Sequence, residues 1–274
     1  IPLCLTNSQI PSRSLGRARR LKALTGAHPA GRAAVVFAKS DRMAQRFRAL
    51  GQSHAQTVGE TRFDVPPPQT HVAAGDRLKA SLSGNVVTFA SVVSGEEETY
   101  IGALKAMSQA PFAIWVPRAP EAFEPTCARL EKAGFRIARR SEAFDSDLNL
   151  IGDLSDVDIL VGNSFGEMFF YLQPADAVVV GGGFVEKGAH NVIEPLALGK
   201  RVVTGPHVWT IEYPGVEAKE AGVLTVCETP EALPEALMHA LDQKADKALA
   251  FHAANAGASS RIFDIVDAHL RGQT

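Results

Sequence analysis

The 274-residue sequence predicts an α/β protein built around a parallel, doubly wound sheet. Three observations carry that expectation. Short valine-rich apolar runs alternate with helical segments along the chain, as in repeated βαβ units. Glycines and small polar residues cluster just after several of these runs, at the strand ends where such sheets collect their ligands. One break stands out, Asp64-Val65-Pro66-Pro67-Pro68-Gln69-Thr70, because consecutive prolines suit neither a helix interior nor a central strand.

Taken in order, the apolar runs place strands at residues 33–38, 85–90, 112–116, 158–162, 176–180, 201–204 and 223–226. The opening Ile1-Pro2-Leu3-Cys4-Leu5 reads as an internal strand, so the chain is expected to be a piece of a longer protein. Between the strands, periodic segments place helices at 41–50, 95–109, 121–133, 166–172, 192–198, 214–221 and 230–241, with a last long helix from about 244 to 270. The prolines then separate a short basic piece, residues 1–64, from a body beginning near 76, with 65–75 as linker. No internal repeat or low-complexity tract stands out.

Composition removes several classes. A content of 46% hydrophobic and 21% charged residues is that of a globular chain, not a disordered or fibrous one. Cys4, Cys127 and Cys227 are too far apart for a zinc or disulfide pattern and suit a reducing compartment. No apolar run reaches the roughly 18 residues a membrane span needs. The formal charge of −2 conceals an asymmetry. Residues 1–50 hold ten Lys or Arg and one acid, Asp41, for a net +9 against −11 elsewhere. That block reads either as solvated helix faces or as the face for an anionic partner. An anionic lipid surface fits it; nucleic acid does not, because aromatic residues barely interleave with the charges.

The richest stretch runs from Val178 to Pro195: Val178-Val179-Val180, Gly181-Gly182-Gly183, then His190-Asn191-Val192-Ile193-Glu194. A buried strand, a glycine turn that brings backbone close to a ligand, and a helix capped by Asn191 together make an anion-binding corner. The glycine spacing is neither G-x-G-x-x-G nor a P-loop, so a different nucleotide site is expected. Three further strand ends carry candidates. At Ser94-Gly95-Glu96-Glu97, Ser94 is a helix cap and the two glutamates complement the helix dipole. Arg118, held between Pro117 and Pro120, has the fork geometry for phosphate. At Asn163-Ser164-Phe165-Gly166-Glu167, backbone groups of Phe165 and Gly166 are candidates for a base or ribose. The D-x-D pairs Asp145/Asp147 and Asp156/Asp158 are read as loop residues, with no metal expected. No G-x-S-x-G or H-E-x-x-H occurs.

These motifs, in this order, resemble the 3-deoxy-D-manno-octulosonic acid (Kdo) transferases. Ile1–Gln9 with Ser12-Arg13-Ser14-Leu15 resembles the family's NARLSERS, and Gly59-Glu60-Thr61-Arg62-Phe63-Asp64 its GNLKFD. Ser94-Gly95-Glu96-Glu97 is similar to H-x-GEE, and Val116-Pro117-Arg118-Ala119-Pro120-Glu121 to VPRHPE. Gly162–Glu167 resembles GDTMGE, Gly188–Pro195 resembles GGHNPLEP, and Gly205-Pro206-His207 matches GPH. Each motif alone is weak; the ordered series is specific.

The resemblance implies a GT-B fold. The chain would then be the C-terminal two-thirds of such an enzyme: the end of an N-terminal acceptor-binding domain (1–64), a Rossmann-like nucleotide-sugar-binding domain (76–243), and a C-terminal helix (244–274) crossing back. It implies metal-independent transfer of Kdo from CMP-Kdo to lipid A precursor at the cytoplasmic face of the bacterial inner membrane, with no cofactor. Pro117, Arg118, Phe165, Gly166, Glu167, Asn191, Val192, Ile193 and Glu194 would surround CMP, beside Gly182, Gly183 and His190 from the residue reading. The family's general base is a glutamate expected upstream of Ile1, so no catalytic residue is assigned here and the chain alone is expected to be inactive. The basic block would face phosphorylated lipid A and anionic headgroups. Ser94 and Ala119 stand where the family has histidine, Asn163 and Phe165 replace Asp and Met, and Ala189 replaces Gly. A non-catalytic or divergent GT-B homologue binding another nucleotide sugar is the alternative.

Overall fold

The structure is a computed structural model that describes residues 3–242 and 246–272. Ile1, Pro2 and Lys244, which open the expected first strand and last helix, lie outside the described residues. The chain divides into two compact units, residues 1–66 with 252–274, and residues 67–251.

In the first unit, β1 (Cys4–Ser8), α1 (Ser12–Thr25), β2 (Val35–Ala38), α2 (Asp41–Ala49) and β3 (Ala55–Thr57) follow one another. The three strands pair in parallel in the order β1-β2-β3. Ser40 caps α2 by accepting from Met43 N. α1, inside the basic block, buries none of its residues; Leu21 and Leu24 are exposed along with its arginines.

The second unit holds α3 (Gln69–Ser81), β4 (Val86–Val92), α4 (Glu97–Ala106), β5 (Phe112–Pro117), α5 (Phe123–Lys132), β6 (Ile137–Arg139) and α6 (Arg140–Ala143). It continues with β7 (Ile159–Val161), α7 (Met168–Leu172), β8 (Ala177–Val180), α8 (Ile193–Ala197), β9 (Arg201–Thr204), α9 (Glu212–Glu220), β10 (Leu224–Val226) and α10 (Leu233–Leu241). Its seven strands are all parallel, in the order β10-β9-β8-β4-β5-β7-β6. The chain therefore leaves central β4 toward β5 and later crosses to β8 on its other side. That reversal is the topological switch point, outside whose strand ends such sheets bind ligands.

Period-two alternation sends β4 and β8 side chains to opposite faces. Val87, Phe89, Ala177 and Val179 join one core with Tyr100 and Trp115. Val178 and Val180 join the opposite one with Val192 and Leu196. Both faces are covered, which is why these strands read as unbroken apolar runs.

Two expectations change. The linker expected over 65–75 ends early, because α3 starts at Gln69, directly after the prolines; proline is at home at the entry to a helix. The single long C-terminal helix is two, α11 (Asp246–Asn255) and α12 (Ala258–Leu270), separated at Gly257, whose φ of +90° no helix continues through. The Asp64 carboxylate then accepts from Gly257 N and Ser259 N at the start of α12. Burial alone would raise Asp64, but the hydrogen bonds from Ser259 and Gly257 hold it below the usual carboxylate value.

Candidate functional site

The carboxyl ends of β4, β5, β7 and β8 bring the candidate residues to one rim of the second unit's sheet. At the end of β4, Ser94 does not cap α4, which starts at Glu97 with no side-chain cap. Glu96 is not a surface helix charge but fully buried. Its Oε2 accepts from Gly182 N at 2.8 Å and Val93 N at 3.3 Å, and its Oε1 accepts from Phe184 N at 3.0 Å. One carboxylate thus ties the loops on the two sides of the switch point together. Beneath it, burial and then the charge of Glu96 push the Tyr100 hydroxyl well up.

This arrangement corrects the reading of the glycine corner. The amides of Gly182 and Phe184 are already committed to Glu96, so they are not open donors for phosphate. The glycines serve close packing instead. A Cβ on Gly182 would stand 2.3 Å from Gly188 O, and one on Gly183 would stand 2.3 Å from Thr204 Oγ1 and 2.5 Å from Gly205 N. Gly183 O in turn accepts from His207 N at 3.0 Å.

Beyond the corner, Asn191 Oδ1 accepts from Ile193 N at 3.0 Å. α8 starts at Ile193, one residue later than expected. Val192 and Ile193 are buried, so their side chains belong to the core and not to the rim. Glu194 is half-buried in the first turn. His190 donates its backbone N–H to Gly181 O at 2.9 Å. Burial, then the nearby cations Arg118 and Lys187, lower the imidazole pKa, which keeps the ring neutral near pH 7. Its buried Nε2 has no hydrogen-bond partner among the described residues.

At the end of β5, Pro117 is buried and paired with Val92 across β4. Arg118 donates its backbone N–H to Val92 O at 2.8 Å, and its side chain is exposed. The backbone is thus fixed at the strand end while the guanidinium is solvated, and its charge reaches His190.

At the end of β7, Phe165 and Gly166 are exposed, and Glu167 is drawn inward. Arg140 Nη2 donates to Glu167 Oε1 at 2.6 Å, with both side chains largely buried. Ser164 Oγ donates to Glu167 Oε2 and lies 2.5 Å from Tyr171 Oη, and Tyr171 Oη donates to Glu167 at 3.3 Å. Burial first, then the Glu167 charge against it, leave the Tyr171 hydroxyl with a strongly raised pKa. Asn163 is tied by its side chain to Ser141 N and Oγ. Both carboxylate oxygens of Glu167 are therefore engaged by protein partners.

Sequence reading missed Glu96 as the anchor of the corner and missed Arg140, Ser164 and Tyr171 altogether. Only the serine of Asn163-Ser164 and the paired Arg139-Arg140 hinted at the second network. Among the described residues, no group of three or more His, Cys, Asp or Glu is placed to hold a metal ion. Asp145 instead accepts the amides of Asp147 and Asn149, and Asp156 and Asp158 pair with Arg136 at 3.0 and 2.8 Å. No helix among the described residues is long and apolar enough to cross a membrane.

Residues 1–65 match the sequence family described as 3-Deoxy-D-manno-octulosonic-acid transferase (kdotransferase). The 3-deoxy-D-manno-octulosonic acid transferase of Bordetella pertussis is 30% identical over 284 residues, spanning 97% of this chain and 64% of the relative. The Haemophilus influenzae enzyme of that name is 26% identical, over 98% of this chain and 65% of the relative. The chain thus spans slightly under two-thirds of these relatives' length. In fold, it is similar to the C-terminal CMP-Kdo binding domain of WaaA from Acinetobacter baumannii, with a TM-score of 0.58 and 20% identity over 68% of this chain and 98% of that one. It is also similar to Anabaena Alr3699/HepE in complex with UDP and glucose, with a TM-score of 0.55 and 15% identity over 97% of this chain and 70% of that one. The fold class is that of GT-B glycosyltransferases: a Rossmann-like seven-stranded parallel sheet in the second unit and a smaller three-stranded parallel sheet in the first.

Proposed function

We infer that this chain, a homologue of the 3-deoxy-D-manno-octulosonic acid transferases along nearly its whole length, binds CMP-Kdo over the switch point of its second unit. Transfer of the Kdo to a lipid A precursor in lipopolysaccharide synthesis is the reaction this reading assigns to it. The observation that carries it is the pairing of the exposed Arg118 with a neutral His190 whose buried Nε2 has no protein partner among the described residues. Together they offer a cation and a ring nitrogen at the spot where such sheets hold phosphate. Arg118 would act on the departing CMP: as the sugar–phosphate bond breaks, negative charge grows on the phosphate, and a prearranged cation stabilises it more than the ground state. Glu194 would hold the ribose hydroxyls, and the backbone at Phe165 and Gly166 the base. Gly182 and Gly183 shape the corner, and Glu167 shapes the loop beside it. No residue here is assigned as general base, and neither a metal nor a cofactor is part of the reaction in this reading.

The acceptor and the location belong to the same reading. The arginine-rich, uncovered α1 would face anionic headgroups and phosphorylated lipid A at the cytoplasmic face of the inner membrane. The test is calorimetric titration of the chain with CMP. Binding at micromolar to millimolar affinity, weakened in Arg118→Ala and Glu194→Ala, supports the reading; a folded chain that binds no CMP sinks it. A second reading, a divergent GT-B homologue using another nucleotide sugar, is favoured by Phe165 and Asn163 standing where the family has Met and Asp. A thermal-shift panel of CMP, CMP-sugars and UDP-sugars separates the two.

A further inference from the structure

Two aromatic side chains from the loops after β5 and β7 meet at the rim. Phe165, from the loop after β7, is 65% exposed. Its ring centroid lies 5.8 Å from that of Phe123, which opens α5 after the adjacent strand β5. Phe123 follows Arg118 by five residues, so the guanidinium and the ring pair share one loop system. Gly166, directly after the exposed ring, takes a φ of +77°, and no atom lies within 4 Å of where its Cβ would be. The chain thus turns at Gly166 with open space on that residue's side-chain face. The loop is nevertheless not loose. Glu167 anchors it through the buried ion pair with Arg140 and the hydroxyls of Ser164 and Tyr171. A buried polar network that fixes a short exposed loop is how a binding surface is kept in one geometry.

We propose that Phe165, backed by Phe123, is an aromatic shelf that stacks the nucleobase of the donor, and that Arg140 is a positioning residue that holds the shelf through Glu167. This rests on the nucleotide reading above and deepens it, from backbone contacts near the base to a stacking face that sets base affinity. Stacking of a base on an aromatic ring contributes about 1–3 kcal/mol, or about 5- to 150-fold in affinity.

The experiment uses the full chain, CMP by calorimetry, and a fluorescent cytidine monophosphate analogue whose emission is quenched by stacking. Phe165→Ala should bind CMP about 5- to 150-fold more weakly and show little quenching at saturation, while Phe165→Trp keeps both. The Phe165 ring is exposed, so both variants should melt within a few degrees of the parent. Arg140→Met should reduce quenching per bound ligand and Arg140→Lys should partly restore it, a readout that lost stability alone would not move. Phe165→Ala binding as tightly as the parent, or quenching unchanged at saturation, overturns the shelf. Unchanged quenching in Arg140→Met overturns the positioning role. A parent chain that binds no CMP overturns the nucleotide reading itself, which separates the two failures.

Discussion

Replacing Glu96 by Gln tests whether one buried carboxylate holds the rim together. Glu96 accepts three backbone N–H groups, two at Oε2 and one at Oε1, with no exposure to solvent. Glutamine keeps one acceptor oxygen and puts an NH₂ where the other stood. Its cheaper orientation keeps the carbonyl toward Gly182 and Val93 and turns the NH₂ toward the Phe184 amide. One charge-assisted hydrogen bond is then lost, about 1.5–3 kcal/mol, and one buried donor faces another, a further cost of about 1–3 kcal/mol. Removing a buried charge offsets part of this, which leaves an expected loss of about 2–4 kcal/mol. Against a typical domain stability of about 5–15 kcal/mol, that is readily measured. The assay is urea unfolding followed by tryptophan fluorescence, since Trp115 sits in the core that contains Tyr100, directly beside α4. Glu96→Ala should cost more, because all three amides lose their acceptor and a cavity opens. A Glu96→Gln variant within about 0.5 kcal/mol of the parent would refute the reasoning, because the corner would then be holding its shape without the carboxylate.

Three further outcomes follow from the same geometry. Gly183→Ala should lower stability by about 3 kcal/mol or more, since its Cβ would sit 2.3 Å from Thr204 Oγ1 and 2.5 Å from Gly205 N, and neither neighbour can move freely; thermal unfolding reads this directly. Asp64→Asn should cost about 1–2 kcal/mol as a lost cap of α12. The folded pKa of Asp64 lies below its ordinary 3.8, so its contribution is present above that value and fades as the pH falls through the folded one; acid titration of the melting temperature should be shallower in Asp64→Asn. The folded pKa of His190 is likewise lowered from 6.5. The parent should therefore lose stability as the pH falls below about 6.5, and His190→Gln should make that slope shallower, leaving the part contributed by His252, which burial also lowers.

How much of this was legible in the sequence follows from where each signal is stored. The central strands were found because a strand buried on both faces must be apolar at every position, and β8 reads Ala177-Val178-Val179-Val180. Edge strands carry no such signal: β3 is Ala55-Gln56-Thr57 and β6 is Ile137-Ala138-Arg139, three residues each with mixed polarity. Helix α1 was hidden for a related reason. Buried against nothing, it shows charges on every side and no apolar period. Arg118, His190 and Glu194 were found because a strand followed by a polar turn marks a rim in any parallel sheet. Arg140 was not, because its partner Glu167 is 27 residues away and the link exists only once β6 lies beside β7.

The glycine run shows how a close backbone approach can be assigned the wrong partner. Three adjacent glycines after a strand imply close approach, and close approach was read as approach to a phosphate. The close approach is to protein: Ser91 O for Gly181, Gly188 O for Gly182, Thr204 and Gly205 for Gly183. Ser91, at φ +57° in the bulge that ends β4, pushes its carbonyl toward β8 and leaves no room for a Cβ there. An anion does sit at the corner, but it is the chain's own Glu96, 86 residues back along the sequence. With the amides of Gly182 and Phe184 already paired, those two donors are not open to a ligand. The cation Arg118 and the imidazole of His190 lie near one another at this rim, with Lys187 close by. In the reading proposed above, phosphate recognition at this corner leans on side chains more than on those two amides. Single substitutions of Arg118 or His190 should weaken CMP binding far more than in a P-loop, where a cradle of main-chain donors survives any one side-chain change.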